Sequence, residues 1–179
     1  IVTTGKNVTL ASGSVTDASG AAGGGQVLVG GGWQGKDATI ATAGSVTQQA
    51  GAAIKVDATA NGTGGTAVLW SADATRMDGT ISARGAGSGT GGQVETSSKG
   101  VLGLGGNVDV AADSGKGGNW LLDPANLDVT TTGSALVGNT NGTNNTVSNT
   151  SIQTALNAGG TTVTLQADTL ITVNADISK

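Results

Sequence analysis

Apolar and polar residues alternate along four short stretches of this chain: Gly13–Ala18, Ala53–Ala58, Thr80–Arg84 and Asn107–Ala111. Period-two alternation is the mark of a β-strand with one buried face. Each stretch is followed by a Gly-rich turn and a second apolar strand, at Gln26–Val29, Thr66–Trp70, Gly92–Glu95 and Asn119–Leu122. Ile54, Ile81 and Val108 lie 27 residues apart, and the pairs Gly64-Gly65, Gly91-Gly92 and Gly117-Gly118 step by 27 and 26. A repeat of that length fits one solenoid coil whose strands stack on those of the coil below, so Ile54, Ile81 and Val108 should form an interior ladder. The glycine pairs supply the tight turns between strands. Val15 to Ile54 spans 39 residues, so the first repeat carries an insertion around residues 30–50, centred on Gly31-Gly32-Trp33-Gln34-Gly35.

The pattern divides the chain into three parts. Residues 1–123 hold regular coils. Residues 124–160 interrupt them: Asn139–Thr150 is nearly all Asn, Thr, Ser and Gly, which reads as an exposed loop. A helix of one or two turns follows near residues 151–158, with Ser151 as its N-cap, Ile152, Ala155 and Leu156 on one face, and Gly159 to end it. That helix is expected to pack on the side of the solenoid. Residues 161–179 resume the strands through Val163, Leu165, Ile171, Val173, Ala175 and Ile177. The alternation runs to the last residues without a capping element, so both ends are expected to be cuts through a continuing solenoid. The fold class that follows is all-β, a right-handed parallel β-helix with a short helical insertion.

Composition narrows this further. The 33 Gly, single Pro and absence of Phe and Tyr leave a core of aliphatic side chains, which suits a thin, elongated body. Charged residues make up only 11% and β-branched residues are plentiful, which argues against disorder. A net charge of −4 without basic runs argues against nucleic acid. No apolar run approaches a membrane span, so no membrane insertion is expected. No signal peptide opens the sequence, and without Cys there is no disulfide framework.

Five motifs occur in order: Gly30–Gly35, Val68–Ser71, Gly91–Ser97, Gly118–Pro124, and the later pair Ile152–Asn157 and Ile171–Ser178. Together they resemble the filamentous-haemagglutinin-like exoproteins of the two-partner secretion pathway, over most of residues 13–179. The resemblance implies a secreted or cell-surface adhesin of a Gram-negative bacterium. It also implies export through an outer-membrane two-partner transporter and a long β-helical stalk acting in adhesion, aggregation or biofilm. The Asn-Pro-Asn motifs of that family's secretion domain are absent; the one Pro lies in Asp123-Pro124-Ala125-Asn126. The segment would therefore belong to the body of such a protein.

β-Helices also include enzymes that act on polysaccharides, and sugar hydrolysis needs two carboxylates, one with a raised pKa. Of eleven Asp and the single Glu95, those such as Asp17, Asp57 and Asp109 occupy the polar phase of a strand and should face water. Arg76 and Arg84 stand isolated near Gly-rich turns, and there is no His or Cys. No catalytic, cofactor or metal residue is expected: the calcium-binding nonapeptide needs an Asp that Gly24-Gly25-Gln26-Val27 and Gly64-Gly65-Thr66-Ala67 lack. Trp70 and Trp120 adjoin apolar residues and should cover a coil edge or cap the core. Trp33, set between glycines, is the candidate for contact with an external ligand. Sequons at Asn7, Asn61, Asn141, Asn144 and Asn149 are candidate glycosylation sites. The leading reading is a stalk that presents an adhesin to a host-cell or matrix surface, protein or carbohydrate. The alternative is a filament subunit that self-associates by end-to-end coil stacking, ahead of a polysaccharide-acting enzyme.

Overall fold

The computed structural model describes residues 1–133 and 145–179. The chain winds as a right-handed parallel β-helix. Each regular coil contributes three strands, one to each of three parallel sheets. The first coil runs through β1 (Val2–Thr3), β2 (Asn7–Leu10) and β3 (Val15–Asp17). The second runs through β4 (Gln26–Val29), β5 (Ser45–Gln48) and β6 (Ala53–Lys55). The third comprises β7 (Thr66–Ser71), β8 (Ala74–Met77) and β9 (Thr80–Ser82). The fourth comprises β10 (Gln93–Ser98), β11 (Val101–Leu104) and β12 (Asn107–Asp109). The middle strand of each coil is an addition to the two faces expected from sequence. Stretches such as Ala74–Met77 alternate only over four residues, and Arg76 among them masks the period.

Register follows the repeat. In the sheet of third strands, Thr16, Ile54, Ile81 and Val108 are successive partners. In the sheet of first strands, Val27, Ala67, Val94 and Trp120 are aligned. These inward positions are 0–1% exposed from Val27 onward, and they join one continuous core. A single coil buries little; stacking removes both edges of every interior strand from water and buries the apolar row between coils.

The glycine pairs make the expected turns, and the structure shows a further reason for glycine there. Gly64, Gly65, Gly91, Gly92, Gly117 and Gly118 lie outside the positive-φ glycines, so backbone freedom is not their purpose. They allow close approach: a Cβ on Gly92 would overlap the Gly65 carbonyl oxygen, and one on Gly118 would overlap that of Gly92. The second glycine of each pair donates its N–H back across its own turn, Gly65 to Val56 (2.7 Å), Gly92 to Ala83 (2.8 Å) and Gly118 to Val110 (2.7 Å).

After β13 (Asn119–Leu122) the winding changes. β14 (Asn126–Thr130) does not stack on β11; β15 (Thr146–Ser148) lies between them. Asn145, just before β15, is fully buried, and its side-chain carbonyl accepts the Leu102 N–H in place of a ladder bond. The helix α1 (Asn149–Asn157) follows directly. It begins two residues earlier than expected, with Ser148 at the N-cap position, and Ser151 is buried inside it. It also does not lean on the outside: it packs against β12 and closes the coil where a third strand would lie. Ile152 and Ala155 enter the core and Leu156 packs beside them. β16 (Thr162–Leu165) and β17 (Leu170–Val173) then extend the sheets on β13 and β14. Residues 174–179 form no strand, and Ile177 is 36% exposed.

Trp120 departs from its expected place. It faces the lumen at 0% exposure and donates Nε1–H to Thr96 Oγ1 (2.9 Å). It sits in the coil closed by α1 rather than by a strand, and it shares the core with Ile152 and Ala155. It fills the axis of the solenoid rather than capping its edge.

Candidate functional site

Residues 30–44 leave the solenoid between β4 and β5 and fold back over the outer face of the first-strand sheet. We refer to them as the strap. A row of outward positions lies beneath it: Leu28, Val68, Glu95 and Leu121 are successive partners and are at most 5% exposed. Three of the four are apolar, as a covered face requires, and the fourth is the only Glu of the chain. Glu95 has a specific partner: its Oε2 accepts the backbone N–H of Gln34 at 2.7 Å.

Gln34 is the keystone of the strap. It adopts φ +53°, the one non-glycine residue at positive φ among those described, a conformation with a steric cost for a side chain bearing Cβ. The compensation is three hydrogen bonds. Besides the N–H to Glu95, its Nε2 donates to Asp123 Oδ2 (3.0 Å) and its Oε1 accepts from Lys36 Nζ (2.8 Å). Trp70 holds the strap at a second point. Its indole is half-buried against Gly31 and Gly35, and a Cβ on Gly35 would overlap the ring. One tip of the strap thus touches three successive coils, at Trp70, Glu95 and Asp123.

Burial pushes the Glu95 carboxyl up to about 7. The Gln34 N–H and the Ser97 hydroxyl oppose this, as does Lys36, while the charge of Asp123 adds to it. The unfolded chain releases this proton near 4.5 whereas the folded chain holds it to about 7. Folding stability contributed by Glu95 therefore falls as pH rises through that window and is level above it, a loss of about 3 kcal/mol. Denaturation from pH 4 to 8 checks this: the difference between wild type and Glu95→Gln should grow across the window, and a difference that stays constant refutes it.

Beside the strap tip is a cleft of about 380 Å³. Trp70, Gln34 and Lys36 form one side; Lys99 and Asp123 come from the fourth and fifth coils, and Gln166 and Asp168 from the loop after β16. Asp123 is fixed in place, because its own N–H donates to Ser97 Oγ (3.1 Å) while Gln34 holds its carboxylate.

Trp33 lies on the opposite side of the strap. It is half-buried in a separate hollow of about 650 Å³ with Val2, Leu28 and Ile40. The structure does not bring it together with Trp70; Lys36 is the residue the two hollows share. Asn7 is exposed and accepts from Ser45 Oγ (2.9 Å). Asn61 is exposed and accepts from Ser88 N and Oγ (3.1 Å each). Asn149 is the first residue of α1 and donates to the Asp176 carbonyl (2.9 Å). Asn141 and Asn144 lie outside the described residues.

The arginines are not isolated. Arg76 pairs with Asp78. Arg84 reaches Asp109 (2.6 Å) and Asp113 (3.5 Å), and its backbone N–H donates to Asp57 Oδ1 (2.7 Å). Stacking places residues about one repeat apart side by side, so aspartates read as solvent-facing tie coils together. Half-exposed as they are, such pairs contribute roughly 0–1 kcal/mol each.

Among the described residues no group of three or more His, Cys, Asp and Glu side chains is placed to hold a metal ion, and no helix is long and apolar enough to cross a membrane. Sequence reading passed over Glu95, Gln34 and Asp123. The available signal was a lone Glu in a row that stacking makes otherwise aliphatic. No family model matches this chain, and no curated protein matches it. The coils, sheets and register thus establish a parallel β-helix with a helical insertion, an architecture consistent with structural and adhesive β-solenoid proteins in general.

Proposed function

We propose that this chain is a shaft segment of a secreted bacterial surface adhesin of the filamentous-haemagglutinin-like kind, exported through an outer-membrane two-partner transporter. The observation that carries the reading is the run of equivalent coils sharing one uninterrupted core, joined to the ordered motifs from Gly30–Gly35 to Ile171–Ser178. Such a body resists bending because each of the four regular coils is bonded along three sheets to its neighbours. Its work is reach and presentation toward a host-cell or matrix surface, with no catalytic step. Antibody raised against the segment should label intact cells of the producing organism and inhibit their aggregation. Labelling that requires cell lysis overturns the reading.

One observation favours a second reading, a filament built by end-to-end stacking. Ile1, Val2 and Val15 in the first coil, and Leu170, Ile171 and Val173 at the other end, are 40–61% exposed. Apolar strand edges of this kind are templates for a further coil. Size-exclusion chromatography over a range of concentrations separates the readings: growing oligomers support the filament, and a strict monomer eliminates it.

A further inference from the structure

The cleft beside the strap is built from side chains that only the stacking of coils brings together. One wall is Trp70, whose ring is fixed by Gly31 and Gly35 and remains partly exposed. Gln34 and Asp123, joined to each other at 3.0 Å, form a second fixed element. At the rim, Lys99, Gln166 and Asp168 are exposed, and among the described residues their side chains make no hydrogen bond or ion pair. The cleft thus combines a rigid aromatic surface, a pinned acceptor and three uncommitted polar groups.

These groups specify the chemistry of an occupant. Two lysines face two aspartates, so the cleft offers no net field for an anion or a cation. It offers alternating donors and acceptors: ammonium groups, amides and carboxylates set around an indole. A hydroxyl both donates and accepts, and adjacent ring hydroxyls present that pair repeatedly. The C–H face of a sugar ring is apolar enough to lie on an aromatic surface. At about 380 Å³ the space is at the small end of ligand pockets, which run from about 300 to 1,000 Å³, and suits one or two sugar rings. A sulfated or carboxylated sugar would gain no net attraction, since Asp123 and Asp168 offset Lys36 and Lys99, while its charge would still have to be desolvated.

We propose that this cleft binds a neutral pyranose unit of a glycan, stacked on Trp70 and hydrogen-bonded by Asp123, Gln166 and Asp168. The shaft reading assigns no lateral ligand site, and this one stands whether or not the chain is displayed on a cell. The test is saturation-transfer NMR on the purified chain with neutral hexoses and N-acetylhexosamines, alongside glucuronate and a sulfated hexose. Transfer to at least one neutral sugar is expected, strongest at the protons of one ring face, with millimolar affinity. The double variant Gln166→Ala/Asp168→Ala, at two exposed rim positions whose side chains hold nothing in place among the described residues, should keep the wild-type unfolding midpoint and weaken binding about tenfold, since two hydrogen bonds to the ligand are lost. Trp70→Phe should weaken it as well while keeping a ring between the glycines. No transfer to any neutral pyranose, preference for the charged sugars, or unchanged binding in the double variant would each overturn the assignment.

Discussion

Gly91→Ala is expected to cost the protein its cooperative fold. A Cβ on Gly91 would overlap the Val110 carbonyl oxygen and the Gly118 nitrogen, and would lie 2.9 Å from the Val110 carbonyl carbon. All three are backbone atoms of the next turn, so no rotamer change relieves the overlap. The contact is also where that turn closes on itself, through the Gly118 N–H to Val110 at 2.7 Å. Ordinary overpacking by a methylene costs about 1–3 kcal/mol because side chains yield. Here two coils must separate, and about 4 kcal/mol is expected. Coil interfaces of a solenoid contribute nearly independently, so the damage should concentrate where the turn before β10 meets the turn before β13, between the fourth and fifth coils. Gly5→Ala is the control, since the nearest atoms to its Cβ are at 3.7 and 3.9 Å, and it should shift stability by less than about 0.5 kcal/mol. Urea denaturation of the pair decides the matter: equal midpoints would show that the coils tolerate a side chain at the turn.

The second large effect is expected at Trp120. Trp120→Ala removes the one fully buried aromatic ring from the coil that α1 closes, and it leaves Thr96 Oγ1 without the indole N–H. Truncating a buried aromatic costs about 3–5 kcal/mol where surroundings cannot collapse. Strands held in register on both sides, Val94 below and Val163 above, leave little room for collapse. Trp120→Phe is the milder change: it keeps most of the apolar area and loses the hydrogen bond to Thr96 and part of the ring volume, about 1–2 kcal/mol. A Trp120→Ala loss below that of the Phe variant would mean the ring is not structural.

The regular coils were legible because their signals are local. Alternation marks which side of a strand is buried, and equal spacing of Ile54, Ile81 and Val108 marks the height of a coil; both survive in the observed register. The middle strand of each coil was not legible, since four residues of alternation that include Arg76 or Gly103 carry too weak a period. The glycine pairs were correctly placed as turns, and only part of their role was legible. Sequence placed them in the turns, and the structure adds that a Cβ there would meet the backbone of the neighbouring coil. Helix α1 was recognised from its apolar face, but its start moved to Asn149. Its place as the side of a coil depends on β15 entering between β11 and β14, an order opposite to that of the chain.

The site shows the same division. Trp33 stood out because glycines isolate it in sequence, yet it occupies a hollow apart from Trp70. Glu95 looked like one strand residue among many. Its burial arises only because Gln34, 61 positions away, lies on it, while the same glutamine reaches Asp123, 89 positions away.

By itself the sequence determined a parallel β-helix with coils of about 27 residues, an insertion in its early coils and a helix in its later ones, because these follow from side-chain period and spacing along the chain. Only the tertiary structure decided where the insertion lands and which polar groups it buries. It also decided that an open cleft of mixed charge forms beside the strap. The reason is that a strap has no period: its position is set by contacts across three stacked coils, which exist only once those coils have formed.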